Sequence, residues 1–87
     1  MQIEYSKKFI KEFKKCPSKI KTAFKNKLKI FIKNQFNPIL NNHSLTGKLK
    51  KYKSINVNGY WRAIFQEIKD GDMIYFVAIG THSQLYS

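Results

Sequence analysis

Few side chains in this sequence can do chemistry. They are His43 and His82, Arg62, a lysine group at Lys48, Lys50, Lys51 and Lys53, then Asn56 and the tyrosines Tyr60 and Tyr86. Five carboxylates and the single Cys16 accompany them. Asp70 and Asp72 flank a turn glycine, and Glu4 and Glu12 stand among lysines, so no paired acid and base of carboxylates is expected. Two histidines and one cysteine are too few for a metal cage, and no cofactor loop is present: no Walker loop, GxGxxG, HExxH or GxSxG occurs. Cations, imidazole and phenol suit one metal-independent reaction in particular. RNA carries its own nucleophile, the 2′-OH beside each phosphodiester. Cutting it needs cations to stabilise the charged phosphorane and a group to move protons on and off oxygen. Lys and Arg supply the first, and His, with an ordinary pKa of about 6.5, suits the second. An aromatic ring can stack a splayed base so that the 2′-OH lines up with the leaving oxygen.

The charge points the same way. Seventeen Lys and Arg against five Asp and Glu give +12 on 87 residues. Such an excess argues for a polyanionic partner: RNA, DNA, an anionic membrane or an acidic protein. Residues 1–53 hold fifteen Lys and two Glu, a balance of +13; residues 54–87 carry the remaining −1. An apolar fraction of 43% is enough for a real core and argues against disorder. No run approaches the ~20 apolar residues of a membrane span, and MQIEYSKKFIK lacks the apolar stretch of a signal peptide. With one cysteine and no intrachain disulfide, a cytoplasmic protein is expected.

The elements that must position these groups follow from periodicity. Residues 2–5 alternate as a short strand, and Ser6 is a helix cap. Phe9, Ile10 and Phe13 recur at helical spacing until Pro17. Ser18 is expected to cap a second helix with the stripe Ile20, Phe24, Leu28, Phe31 and Ile32, ending in a loop over residues 34–42. Beyond Gly47 the period falls to two. Asn58-Gly59 and Asp70-Gly71-Asp72 read as turns between three strands, the last of them MIYFVAI. The fold class is α+β: a helical hairpin packed on a small twisted antiparallel sheet, β-α-α-β-β-β, in one domain over residues 1–87. Trp61, Phe65, Phe24, Phe31 and Ile79 are core by period, and Cys16 is a small packing residue beside Pro17.

Three motifs stand in order along the chain: HSLTG at residues 43–47, YWRAIF at 60–65 and GTHSQLY at 80–86. Together they resemble the RelE/ParE superfamily of toxin–antitoxin toxins, and within it the YafQ-like branch, over essentially the whole chain. The resemblance implies a ribosome-dependent mRNA endonuclease neutralised by a small acidic antitoxin, with mRNA and ribosome as partners, no membrane and no small-molecule cofactor. It places His82 at the branch's C-terminal catalytic histidine and Tyr86 at an aromatic implicated in catalysis. His43 matches the first histidine of H-x-L-x-G, and Arg62 matches a strand arginine that usually contacts phosphate. Two positions depart: Asn56 stands where the branch has a further histidine, and Tyr60 where it has an aspartate. ParE-type relatives on the same fold instead poison DNA gyrase without catalysis, and the two departures leave that alternative open.

Each candidate also has a plainer role. His82 could only anchor the tail, Tyr86 could plug the last turn, and Arg62 could pair with Glu67 on the surface. His43, near a turn, suits structure or substrate contact better than proton transfer. Asn56 falls with the substrate-contacting group. One of Lys50, Lys51 and Lys53 is expected to touch the scissile phosphate. The helical lysines suit a solvated face that meets ribosome or antitoxin.

Overall fold

Ser6 joins the first strand to the first helix. In the computed structural model, which describes residues 1–86, β1 (Gln2–Tyr5) ends there and α1 (Lys7–Lys15) begins. The Ser6 Oγ accepts from the Phe9 N–H at 2.9 Å and donates to the Val77 carbonyl at 3.2 Å, so one hydroxyl starts the helix and ties it to the sheet. Pro17 disfavours helical backbone at the preceding residue, and Cys16 is extended at φ −67°, ψ 146°. The second helix, α2 (Ser18–Lys33), starts differently from expectation. Ser18 is its first helical residue. Pro17 holds the cap position with no side-chain bond, and its carbonyl accepts from the Ile20 and Lys21 N–H groups at 2.9 and 3.1 Å. Proline suits that position because its own φ is fixed near the helical value and it has no N–H to satisfy.

A turn of 3-10 helix at Pro38–Leu40 buries Leu40 completely beneath the loop. Then come β2 (His43–Ser44), a second 3-10 turn at Gly47–Leu49, β3 (Lys53–Asn58), β4 (Trp61–Ile68), β5 (Met73–Thr81) and a short closing helix, α3 (His82–Tyr86). The sheet order is β1-β5-β4-β3-β2. The α+β class and the helical hairpin agree with the sequence, but the sheet is mixed. All neighbours pair antiparallel except β1 and β5, which run parallel. The chain leaves β1 through two helices and returns through the meander, so the first strand lies beside the last with no hairpin to reverse it.

The helices cover one face. Phe9, Phe24, Phe31, Phe65 and Phe76 form a continuous aromatic core, with ring centroids of neighbouring pairs 5.3–6.1 Å apart, and Ile55, Val57 and Ile74 complete it. Trp61 is half-buried at the edge of this core and Ile79 lies within it. Ile10 and Ile32 belong to the apolar stripes by spacing but stay exposed, because each sits one residue, about 100°, beyond the buried line. No described helix is long and apolar enough to cross a membrane.

Candidate active site

The sheet face away from the helices is set by register. His43 lies opposite Ser54, Ser54 opposite Ile64, and Ile64 opposite Ala78; the next row is Asn56, Arg62 and Gly80. Opposite residues in a ladder share a face, so His43, Ser54, Asn56 and Arg62 stand together on one surface. Lys53 falls on the other face, opposite Phe65, and its ammonium pairs with Glu67.

The β3–β4 hairpin forms one end of this surface. Its loop is Gly59-Tyr60 rather than the expected Asn58-Gly59, since Asn58 already pairs with Trp61. Gly59 takes φ +53°, a conformation open to glycine at little cost. Tyr60 is thereby placed at the tip. Arg62 Nη1 donates to the Gly59 carbonyl at 2.6 Å and to the Trp61 carbonyl at 2.9 Å, and the His82 N–H donates to the Tyr60 carbonyl at 2.8 Å. Arg62 therefore pins the loop and has no carboxylate partner among the described residues, the expected Glu67 being held by Lys53.

The end of β5 forms the other wall. Periodicity predicts no element over residues 82–86, yet they are helical, and the reason is local. Thr81 Oγ1 accepts from the Gln84 N–H at 3.3 Å, and Gln84 Oε1 accepts from the Thr81 N–H at 2.9 Å. This reciprocal pair is a capping box, Thr81-x-x-Gln84. It places His82 at the first helical position. Gly80 permits the fold-back: a Cβ there would meet Gln84 Oε1 at 3.0 Å and Leu85 at 3.5 Å. Within α3 the rings of His82 and Tyr86 lie 4.6 Å apart, and Tyr86 Oη donates to Ser54 Oγ at 3.1 Å. That bond draws α3 across the sheet face that carries Arg62.

The result is an open hollow of about 610 Å³ lined by Tyr60, Arg62, Thr81, His82 and Ser83. His82 is exposed there and Tyr86 supports it from behind. Asn56 lies across the ladder from Arg62, and its Oδ1 is buried with no hydrogen-bond partner among the described residues. His43 is exposed on the edge strand. Its Nδ1 lies 2.8 Å from the Asn41 carbonyl, which can only accept, so Nδ1 carries a proton and donates it there. Lys50 and Lys51 are exposed beside the Gly47–Leu49 turn and line no part of the hollow. Lys53 is excluded from it by its ladder position and by Glu67. A separate hollow of about 580 Å³ between α1 and α3, floored by Ile64 and Ala78, includes neither Arg62 nor His82. Among the described residues no three His, Cys, Asp or Glu side chains are grouped to hold a metal ion.

Over residues 1–87 the sequence matches the family described as bacterial toxin of type II toxin-antitoxin system, YafQ. The chain belongs to the YafQ toxin family. Sequence comparison with curated proteins finds no match. Among solved structures it is similar to YafQ from E. coli strain BL21(DE3), with a TM-score of 0.82 at 23% identity over 99% of this chain and 98% of that one. It is similar to YafQ in the E. coli DinJ–YafQ toxin–antitoxin complex, with a TM-score of 0.78 at 24% identity, covering 99% and 97%. A YoeB/ParE toxin from Agrobacterium tumefaciens shares the fold at 10% identity, with a TM-score of 0.78 over 94% and 99%. The YafQ and YoeB/ParE neighbours agree with the α+β architecture derived above.

Proposed function

We propose that this YafQ-family toxin is a ribosome-dependent mRNA endonuclease. The observation that carries the reading is the hollow itself, lined together by an exposed imidazole, a guanidinium with no carboxylate partner among the described residues, and the Tyr60 ring. A phosphodiester seated there meets Arg62, which stabilises the additional negative charge of the phosphorane. The 2′-oxygen forms a bond to phosphorus, the bond from phosphorus to the 5′-oxygen breaks, and a cyclic phosphate remains. One proton leaves the 2′-OH and one is delivered to the 5′-oxygen; His82 moves one of them and solvent water the other. Tyr86 fixes the imidazole by ring contact and its bond to Ser54. Lys50 and Lys51, outside the hollow, suit the flanking RNA backbone rather than the cleaved phosphate. The net +12 supports docking on ribosomal RNA and neutralisation by a small acidic antitoxin.

The test is a translation extract with a defined mRNA, run with wild type and His82→Gln. Cleavage by wild type alone is expected. Equal cleavage by both, or by neither, overturns the proposal. The rival reading, gyrase inhibition without catalysis, draws on Asn56 and Tyr60 standing in place of the branch's histidine and aspartate. It would show as inhibited supercoiling at toxin concentrations that leave translation untouched.

A further inference from the structure

Tyr60 is 80% exposed, more than any other large apolar or aromatic side chain described. An exposed aromatic on a loose loop would mean little. Here the backbone beneath it is fixed at three points: the Gly59, Tyr60 and Trp61 carbonyls accept from Arg62 and from the His82 N–H at 2.6, 2.8 and 2.9 Å. The ring itself touches no other aromatic ring, and the phenol makes no hydrogen bond among the described residues. Folding therefore holds the residue still and leaves its side chain unused. Phe36, 67% exposed, offers the contrast, because it follows α2 and borders none of the site residues. Tyr60 lines the same hollow as Arg62 and His82.

We infer that Tyr60 is a stacking platform for a nucleobase of single-stranded RNA whose phosphate lies against Arg62. The inference rests on the endonuclease reading and deepens it by naming a contact for the base. With the backbone held, binding orders only the two side-chain torsions of the tyrosine, and every base offers a flat face to its ring. Arg62 adjoins Tyr60 across Trp61, so the cation and the ring are presented by one hairpin. A base stacked on the ring covers its apolar face and leaves the phenol in water.

The experiment measures binding by fluorescence anisotropy with a labelled 2′-O-methyl oligoribonucleotide, which lacks the attacking hydroxyl and is not cut. Wild type is compared with Tyr60→Ala, Tyr60→Phe and Tyr60→Trp. Stacking predicts roughly tenfold or greater weakening for Tyr60→Ala, with the Phe and Trp variants within about threefold of wild type. Binding by Tyr60→Ala within twofold of wild type overturns the inference. So do Phe and Trp variants as weak as Ala, or no binding by wild type. Because Tyr60 is 80% exposed and its side chain joins no aromatic pair or hydrogen bond among the described residues, its replacement should leave the fold intact, which circular dichroism of each variant checks. The assay involves no cleavage, so failure of the endonuclease reading in the translation extract and failure of stacking are seen separately.

Discussion

Removing the Glu12 carboxylate should destabilise the sheet just below the site. β1 pairs with β5 only over Met73–Phe76, and past that point α1 runs beside the strand. There the Ile79 N–H, pointing out of the sheet, donates to Glu12 Oε1 at 3.0 Å. The other oxygen, Oε2, accepts from Lys8 Nζ at 2.8 Å. The two bonds differ in worth. Lys8 is two-thirds exposed, so its pair contributes at most a few tenths of the ~0.2–1 kcal/mol typical of surface ion pairs. The bond to Ile79 has a charged acceptor and a buried donor residue, which places it at about 1.5–3 kcal/mol. Glu12→Ala should therefore cost about 2 kcal/mol, and Lys8→Ala about 0.3 kcal/mol. At roughly 4–8 °C per kcal/mol for a domain of this size, Tm should fall by about 8–16 °C in the first case and about 1–2 °C in the second. Glu12→Gln keeps an acceptor oxygen without the charge and should fall between them. Urea unfolding followed by Trp61 fluorescence gives the energies, and hydrogen exchange at Ile79 locates the loss. A fall for Glu12→Ala no larger than for Lys8→Ala, with Ile79 still protected, would refute the assignment of that bond as the edge's main support.

Two other expectations follow. Burial raises the Tyr5 phenol above its ordinary 10.0, and burial raises the Cys16 thiol above its ordinary 9.0, with Glu12 adding to the rise and Lys21 opposing it. Both groups hold their protons more tightly folded than unfolded, so their contribution is complete below those ordinary values and is lost as pH climbs through and past them; the urea midpoint should fall as pH rises from neutral into that range, less steeply in Tyr5→Phe. Among the lysines near the sheet, Lys50→Ala and Lys51→Ala should each lower the slope of log affinity for single-stranded RNA against log salt by about 0.7, whereas Lys53→Ala should change it less, because Glu67 already neutralises that ammonium.

How far the sequence reveals this protein depends on how local each cause is. The helix start at Ser6, the break at Pro17 and the aromatic core are written in neighbouring residues, and they stand where periodicity puts them. The parallel pairing of β1 with β5 joins residues some seventy positions apart, and no local pattern encodes it. The hairpin loop moved by one residue because pairing of Asn58 with Trp61 decides its ends, not the Asn-Gly dipeptide alone. The closing helix has a local signal that periodicity does not show. Thr81-x-x-Gln84 is a capping signature, but its short length and the absence of acidic residues hide it. In the site, Arg62 and His82 were picked out by type and meet at one hollow. Lys53 was picked out by type and turned away by strand parity, since a residue one place along a strand faces the opposite side. Tyr60 stands among the chemical candidates by type and as a departure from a family pattern, but its exposure needs the loop's position to be seen.

The departures at Asn56 and Tyr60 bear on how the proposed chemistry divides. Neither amide nor neutral phenol readily takes a proton at neutral pH, so on the endonuclease reading both positions serve binding and the proton work falls to His82. Asn56 has a reason to bind. Its Oδ1 is buried without a donor among the described residues, a state that costs about 1–3 kcal/mol, and Arg62 across the ladder spends its Nη1 bonds on the hairpin carbonyls instead. As the side chain stands that oxygen is closed to a substrate; turning the amide about its last torsion would bring it out to a ribose 2′-OH, a donor of the right kind, which it would orient without activating. The chain would then hold RNA through ring, amide and guanidinium and act on it through one imidazole. Asn56→Ala should accordingly weaken binding of RNA that has 2′-hydroxyls while leaving its DNA counterpart unaffected. His82→Gln should leave both affinities near wild type and abolish cleavage. If Asn56→Ala weakened RNA and DNA alike, the amide would be a general packing group and its carbonyl would have no part in recognising the sugar.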